Sequence, residues 1–251
     1  MMYNHPRIYL LAFTTATHLI AALGGCAPSR WNGRIEQWGS IRAALHDGQT
    51  QGRVSLAHAV AKPHAFGIGA LEGLTGEVAI FDGQCSMALP DDHGSVSVAH
   101  EPDEYRATLL TIAYVPTWNT VDVSRNVEPD DLDGYVRDMA VRQGLDPSRP
   151  FPFVIEGEFS TLHAHVINGE CPMQASAVGD HRPYRLDRDS ASGTLVGIYA
   201  ENSAGNLTHH DSCTHMHIIS ADESQVTAHV EQVGLKAGAH LRVPKLEAKS
   251  P

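Results

Sequence analysis

Thr214-His215-Met216-His217-Ile218-Ile219-Ser220 is the stretch of this 251-residue chain that says most about its fold and chemistry. Its composition predicts a strand, and successive side chains of a strand point to opposite faces of a sheet. His215 and His217 should therefore share one face. A polar turn follows, and Val226 to Val233 predicts a second strand that carries His229. Such a hairpin would present three imidazoles to one metal ion.

Three nitrogen ligands are typical of a catalytic zinc site, because a structural zinc site usually closes with four protein ligands. We therefore expect a metalloenzyme that holds one Zn²⁺ per chain. The sixteen histidines of the sequence agree with metal chemistry. Imidazole also suits copper, nickel and iron, so the pattern leaves the identity of the divalent metal open.

Composition excludes one large class of partner. The formal net charge of -11 argues against nucleic acid, since phosphate binding needs a basic face. The hydrophobic content of 42% allows a sizeable core.

The N-terminus is typical of an export signal. Arg7 precedes a mostly apolar run from Ile8 to Leu23, and Leu23-Gly24-Gly25-Cys26 resembles a bacterial lipobox. We expect a signal peptide at residues 1–25, a lipid on Cys26, a linker at 26–34 and one domain at 35–251. This predicts an extracytoplasmic protein of the bacterial envelope that meets the membrane only through its lipid. A cleaved secretory signal with an incidental cysteine is the alternative.

The remaining cysteines do not form a disulfide scaffold. Cys85, Cys171 and Cys213 allow one disulfide with one thiol left over. Cys213 lies two residues before His215, and we interpret it as a small residue packed beside the site rather than as a ligand.

Strands outnumber helices in the predicted element order, which indicates an α+β fold with strand-rich mixed or antiparallel sheets. Helices are predicted at Ile35 to Leu45 and Asp130 to Gln143. Further strands are predicted at Glu77 to Asp82, Gly94 to His100, Leu109 to Val115, Phe153 to Phe159, Leu162 to Ile167 and Gly193 to Tyr199.

Three further motifs occur in order with the histidine hairpin. They are Gly67-Ile68-Gly69-Ala70-Leu71-Glu72-Gly73-Leu74-Thr75-Gly76-Glu77, then Phe151-Pro152-Phe153-Val154-Ile155-Glu156-Gly157-Glu158-Phe159, then Gly193-Thr194-Leu195-Val196-Gly197. Together they resemble the α-acetolactate decarboxylase family, from about Ile35 to Pro244. The resemblance implies the fold of that family and a possible homodimer. It also implies decarboxylation of a small 2-hydroxy-3-oxo acid, acetolactate, to acetoin and CO2.

The resemblance also implies roles for individual residues. Glu77 matches an active-site glutamate, and His215, His217 and His229 match the zinc ligands. The family places an arginine in a Thr-Arg-x-Val context, where this chain has Ala164-His165-Val166-Ile167. His165 would then hold the substrate carboxylate or donate a proton. The family's C-terminal glutamate has no clear counterpart, since Glu247 is not a firm match.

Several residues and functions stay open at this point. His163 forms a second His-x-His with His165, and we expect it at the surface or behind the site. His209, His210 and Asp211 precede the ligand strand and are candidates for the pocket mouth.

Two other functions are compatible with the same histidines. One is hydrolysis or isomerisation of a related oxo acid, which the change from arginine to His165 favours. The other is a membrane-tethered metal-binding protein without catalysis. A cupin-like barrel using Glu223 is a rival fold, but its second glycine-spaced half is not evident.

Overall fold

The fold consists of two packed, seven-stranded antiparallel sheets with three short helices, which confirms the predicted α+β class. It is seen in a computed structural model that describes residues 29–91, 93–169, 182–222 and 224–247. The predicted signal peptide, Cys26, Cys171 and Glu223 lie outside the described residues.

The first sheet is built from the N-terminal half of the chain. Its main path has the order β1-β7-β3-β4-β5-β6, and β2 pairs with β7. The strands are β1 (Glu36–Trp38), β2 (Val54–Ser55), β3 (Ala65–Leu71), β4 (Glu77–Phe81), β5 (Gln84–Pro90), β6 (Val96–Ala99) and β7 (Arg106–Tyr114).

The second sheet is built mainly from the C-terminal half. Its path is β11-β12-β13-β9-β14-β8, with β10 paired to β9. The strands are β8 (Trp118–Asp122), β9 (Phe151–Val166), β10 (Tyr184–Arg188), β11 (Ala191–Tyr199), β12 (Thr214–Ser220), β13 (Thr227–Leu235) and β14 (His240–Pro244).

The long strand β9 closes part of this sheet on itself. Its residues 151–159 pair with β11, and residues 159–165 pair with β13. Since β11 and β13 both flank β12, four strands form a closed circuit. The two strands predicted at 153–159 and 162–167 are therefore one element of 16 residues.

The helices are α1 (Ile41–Leu45), α2 (Leu56–Val60) and α3 (Leu132–Arg142). Short 3-10 turns span Glu72–Leu74 and Pro129–Asp131. The second turn leads directly into α3, so the helix predicted at 130–143 is present almost in full. α3 packs its buried face against the second sheet with Leu132, Val136, Met139 and Ala140.

The helix predicted from Ile35 to Leu45 is wrong in its first half. Residues 36–38 form β1 instead, which pairs with Leu110 to Ile112 of β7. Gly39 then turns the chain with a φ of +72°, and the Ser40 hydroxyl caps α1 by accepting from the Ala43 N–H. The apolar residues whose spacing predicted one helix are instead divided between a short strand and a short helix.

The two sheets pack against each other through the main apolar core and through a small apolar cluster of Ile68, Val196 and Ile198. Ile68 comes from β3 of the first sheet, and the other two come from β11 of the second. The candidate site lies beside this junction. In the part of the chain that the structure describes, no helix has both the length and the apolar character that a membrane crossing needs.

Candidate metal centre and active site

The candidate site is centred on a row of side chains that crosses the second sheet. His217 of β12 is the register partner of His229 on β13, and His229 is the partner of His165 on β9. His165 is in turn the partner of Arg185 on β10. Directly opposed residues project from the same face, so this row places three imidazoles and a guanidinium side by side.

His215 joins the row because it lies two residues before His217 on the same face of β12. The ring centroids of His215, His217 and His229 are separated by 5.3, 5.0 and 5.4 Å. The rings of the three predicted ligands thus lie side by side, but the group whose potential ligand atoms all lie within 4.8 Å of one another contains His209 and not His217. His165 lies next to them, with its ring 5.0 Å from that of His229.

Backbone carbonyls fix the orientation of two of these rings. His215 Nδ1 is 3.1 Å from the Leu207 carbonyl oxygen, and His217 Nδ1 is 3.0 Å from that of Val78. A carbonyl only accepts, so each Nδ1 must carry the proton and donate it. The Nε2 atoms are then left with free lone pairs, which is the arrangement that metal-binding histidines usually show.

Burial keeps the three rings uncharged. It lowers the pKa of His217 to about 3, and it lowers the pKa values of His215 and His229 well below the ordinary value. Each of the three side chains is less than one tenth exposed. Neutral imidazole is the form that binds a metal, because a protonated ring has no free lone pair.

A fourth histidine reaches the same place from the loop that joins β11 to β12. The potential ligand atoms of His209, His215 and His229 all lie within 4.8 Å of one another. The His209 ring is 4.7 Å from that of His229 and 5.4 Å from that of His215. His209 was predicted only as a candidate for the pocket mouth, and its two neighbours, His210 and Asp211, are exposed.

Glu77 brings the first sheet into the site. Its Oε2 is 3.7 Å from His217 Nε2, and its Oε1 accepts a hydrogen bond of 3.3 Å from the Ile167 N–H. The side chain is buried at the start of β4, and this burial raises its pKa well above the ordinary value. Burial therefore favours the protonated form of Glu77, which is the state that a proton donor needs.

His165 is held by a carboxylate rather than by a carbonyl. Its Nδ1 lies 2.8 Å from Glu231 Oε1, and Arg185 donates to both oxygens of Glu231 at 2.8 and 2.7 Å. The His165 hydrogen bond, with help from Arg185, lowers the pKa of Glu231 to about 2. An ionised Glu231 accepts the Nδ1 proton of His165 and so fixes the orientation of the ring.

A β-bulge puts Glu231 within reach of His165. Val230 pairs with Ala164 and Gln232 pairs with His163, so Glu231 is an extra residue on β13. Bulges often re-aim a side chain next to an active site. The sequence alone gave no sign of this bulge, and both Glu231 and Arg185 were missed.

The other predicted residues lie around the centre or away from it. His163 is about half exposed and pairs with Asp187 at 2.9 Å, beside the site as expected. Cys213 is half-buried against the core, and Cys85 is buried in the first sheet. Both are free thiols. Glu247 is exposed, and its N–H bonds to the Trp31 carbonyl.

The histidine group is chemically suited to a transition metal such as zinc. It offers neutral nitrogen donors with their second nitrogens anchored on carbonyl oxygens, buried beside one carboxylate. Mg²⁺ and Ca²⁺ prefer oxygen ligands, whereas this group offers mainly imidazole nitrogens. The residues therefore fit the metal that the family resemblance implies.

Comparison with known proteins agrees with this geometry. The family model for alpha-acetolactate decarboxylase matches residues 37–248. No curated protein matches the sequence.

Solved structures with the same fold include acetolactate decarboxylases. The enzyme from Bacillus subtilis strain 168 superposes with a TM-score of 0.66 at 19% identity, covering 84% of this chain and 86% of that one. The enzyme from B. subtilis subspecies spizizenii gives 0.64 at 17%, with coverages of 84% and 86%. A Staphylococcus aureus protein of unknown function, similar to alpha-acetolactate decarboxylase, gives 0.63 at 15%, with coverages of 83% and 84%.

The match of the family model extends over most of the sequence and includes every strand of the site. The resemblance inferred from four sequence motifs is thereby confirmed. This chain belongs to the alpha-acetolactate decarboxylase family.

Proposed function

We propose that this protein is a zinc-dependent carboxy-lyase that converts a small 2-hydroxy-3-oxo acid, acetolactate or a close analogue, to the hydroxyketone and CO2. One observation carries the proposal: a buried carboxyl group, Glu77, lies against a group of buried neutral imidazoles, with Oε2 3.7 Å from His217 Nε2. Family membership supports decarboxylation as the reaction class.

The histidine group would hold the metal through His215, His217 and His229. When bound, a divalent ion acts as a Lewis acid that stabilises negative charge developing on the carbonyl and hydroxyl oxygens of the substrate. Glu77 and the three histidines are buried, and burial strengthens such electrostatic effects.

Glu77 would supply the proton that the reaction requires. Cleavage of the bond to the carboxyl carbon releases CO2 and leaves the electron pair on the substrate, delocalised between carbon and oxygen. A proton must then return to that carbon. Because Glu77 Oε1 accepts from the Ile167 N–H, the proton of the neutral acid belongs on Oε2, the oxygen beside the histidines.

His165 would take the position that the family resemblance gives to arginine. Its Nδ1 is held by Glu231, and its ring lies 5.0 Å from that of His229. A histidine ring can exchange a proton, whereas arginine stays charged. We therefore propose that His165 holds the substrate carboxylate or donates a proton.

The test is turnover of acetolactate by purified zinc-loaded protein, measured as acetoin and CO2 together. Glu77→Gln should lower kcat at least a hundredfold while the bound zinc remains, since the amide cannot deliver the proton. Glu101→Gln removes an exposed carboxyl group and is the matched control. A Glu77→Gln variant as active as the control would contradict the role given to Glu77.

A second function is favoured by His165 at the position where the family resemblance places an arginine, because a histidine can act as a base. It is hydrolysis or isomerisation of a related oxo acid at the same site. His165→Arg separates the two functions: a gain of acetolactate turnover indicates drifted specificity within decarboxylation. The second function is indicated if His165→Arg gains no acetolactate turnover and the wild-type protein turns over another oxo acid.

We also propose that the protein is anchored in the bacterial envelope by a lipid on Cys26. The support is the sequence Leu23-Gly24-Gly25-Cys26 and the apolar run before it. Cys26→Ala should move the protein out of the membrane fraction. An unchanged membrane fraction would contradict lipid attachment at Cys26.

A further inference from the structure

The loop between β11 and β12, residues 200–213, adds an imidazole that the three-histidine site does not need. We propose that His209 would be a fourth metal ligand in the substrate-free protein, beside His215, His217 and His229. The inference rests on the metal site of the proposed function and goes beyond it by assigning a ligand from outside the hairpin.

Distance is the first observation behind this assignment. Zn–N bonds of about 2.0–2.1 Å keep any two ligand nitrogens of one ion within roughly 4.2 Å of each other. The ligand atoms of His209, His215 and His229 all lie within 4.8 Å of one another. These three side chains are therefore close to the spacing of ligands on one ion, and His217 adjoins them with its ring 5.3 Å from that of His215.

The free state of the His209 ring is the second observation. His165 has its Nδ1 occupied by Glu231, and His163 pairs with Asp187. Within the described ranges, neither nitrogen of His209 has a hydrogen-bond partner, and its ring contacts only those of His215 and His229. Both nitrogens of this half-buried imidazole are therefore available to a ligand, and no protein contact would have to break for a metal to bind.

The third observation is that the backbone before His209 is held firmly. The Gly205 carbonyl accepts from the Arg42 N–H, and the Asn206 carbonyl accepts from the Ile41 N–H, which ties the loop to α1. The Leu207 carbonyl anchors His215. The residue that orients one ligand therefore lies two positions before the proposed additional ligand, so the loop and the hairpin form one unit.

A fourth imidazole has a definite chemical consequence. A site with four protein ligands is typical of a metal that is held tightly. His209 would therefore strengthen metal binding by the hairpin histidines. Removing it should weaken metal binding without destroying the three-histidine site.

The experiment compares His209→Ala with His210→Ala, the exposed neighbour, and with His215→Ala. Each protein is stripped, loaded with Zn²⁺ and studied by X-ray absorption to count imidazole ligands, and by chelator competition to obtain Kd. We expect four imidazoles in the wild-type protein and in His210→Ala. His209→Ala should show three, with a Kd raised at least tenfold.

The outcomes separate this inference from the proposed function. Three imidazoles in both the wild-type protein and His209→Ala, with equal Kd values, would overturn the role of His209 and leave the hairpin site intact. Wild-type zinc binding by His215→Ala would overturn the metal site itself. The unfolding temperature of metal-free His209→Ala should match that of the wild type, which shows that the loop variant is folded.

Discussion

At the scale of single residues, the site is organised by what each histidine does with its Nδ1. His215 and His217 donate to backbone carbonyls, and His165 donates to Glu231. These bonds decide which nitrogen of each ring faces the others. Leu207, Val78 and Glu231, which hold the rings from behind, therefore determine which ring nitrogens are available to a metal or a substrate.

Glu231→Gln tests the carboxylate that orients His165. The amide lacks the negative charge that pairs with Arg185, and its N–H can face the His165 ring where the carboxylate oxygen accepts, so His165 loses its fixed orientation. We expect kcat to fall about 10- to 100-fold. Glu158→Gln, which removes an exposed partner of Lys236, is the control. Equal kcat values for the two variants would show that Glu231 does not orient His165.

The buried histidines also predict how stability depends on pH. The pKa of His217 is about 3 in the folded protein, below its unfolded value of about 6.5, so folding favours the neutral ring. This contribution is fully present above pH 6.5 and is lost as the pH falls toward 3. The raised pKa of Glu77 acts in the opposite sense, because its contribution is present below its unfolded pKa and is lost as the pH rises.

Urea unfolding of the metal-free protein at several pH values measures this balance. Each neutral buried imidazole should contribute a slope of up to about 1.4 kcal/mol per pH unit within its window. His217→Gln should therefore show a shallower loss of stability between pH 6 and about pH 3.5 than the wild type. Parallel curves for the two proteins would mean that His217 is not held neutral by folding.

At the scale of elements, a turn and a bulge aim the functional side chains. Gly76 precedes Glu77 with a φ of +151°, and a Cβ there would lie 2.2 Å from the Ala88 carbonyl oxygen. Only glycine fits this backbone, which explains why the glycine-rich motif ends directly before the glutamate. The bulge at Glu231 has the same function on β13.

Gly76→Ala should therefore displace Glu77 and strain the turn. We expect a loss of roughly 1–3 kcal/mol in the free energy of unfolding, together with a loss of turnover. Gly134→Ala is the control, since Gly134 lies in α3 with nothing within 4 Å of an added Cβ, and alanine should stabilise that helix slightly. A Gly76→Ala protein with wild-type stability would contradict this account of the turn.

Elements with a local signature could be predicted from the sequence, and those that depend on distant pairing could not. The β12 and β13 hairpin, β4 and α3 follow from alternation, turns and caps. β1 was mistaken for helix because its pairing with β7 connects residues more than 70 positions apart. The bulge at Glu231 and the approach of His209 also depend on tertiary contacts, so alternation alone could not indicate them.

At the scale of the whole molecule, the site joins two sheets that come from different halves of the chain. Glu77 and the Val78 carbonyl belong to the first sheet, and the histidines belong to the second sheet and its loop. Unfolding must separate these groups, so a metal bound at the site stabilises the whole fold.

Metal removal should therefore lower the unfolding temperature. A ligand present at 100 times its Kd contributes about 2.7 kcal/mol, which corresponds to roughly 5–10 °C for a protein of this size. Differential scanning calorimetry of the zinc-loaded and stripped proteins measures the shift. His215→Ala should show little or no difference in unfolding temperature between its zinc-loaded and stripped forms. An identical shift in His215→Ala would place the stabilising metal elsewhere.

The most direct test of the central claim is a zinc titration of the stripped wild-type protein in the presence of acetolactate. The account predicts no acetoin at the start, a linear rise in the rate, and a plateau at one zinc per chain, with acetoin and CO2 released in equal amounts. His215→Ala should not respond to zinc. Full turnover by the stripped protein, or no acetoin from protein carrying one zinc per chain, would contradict the account.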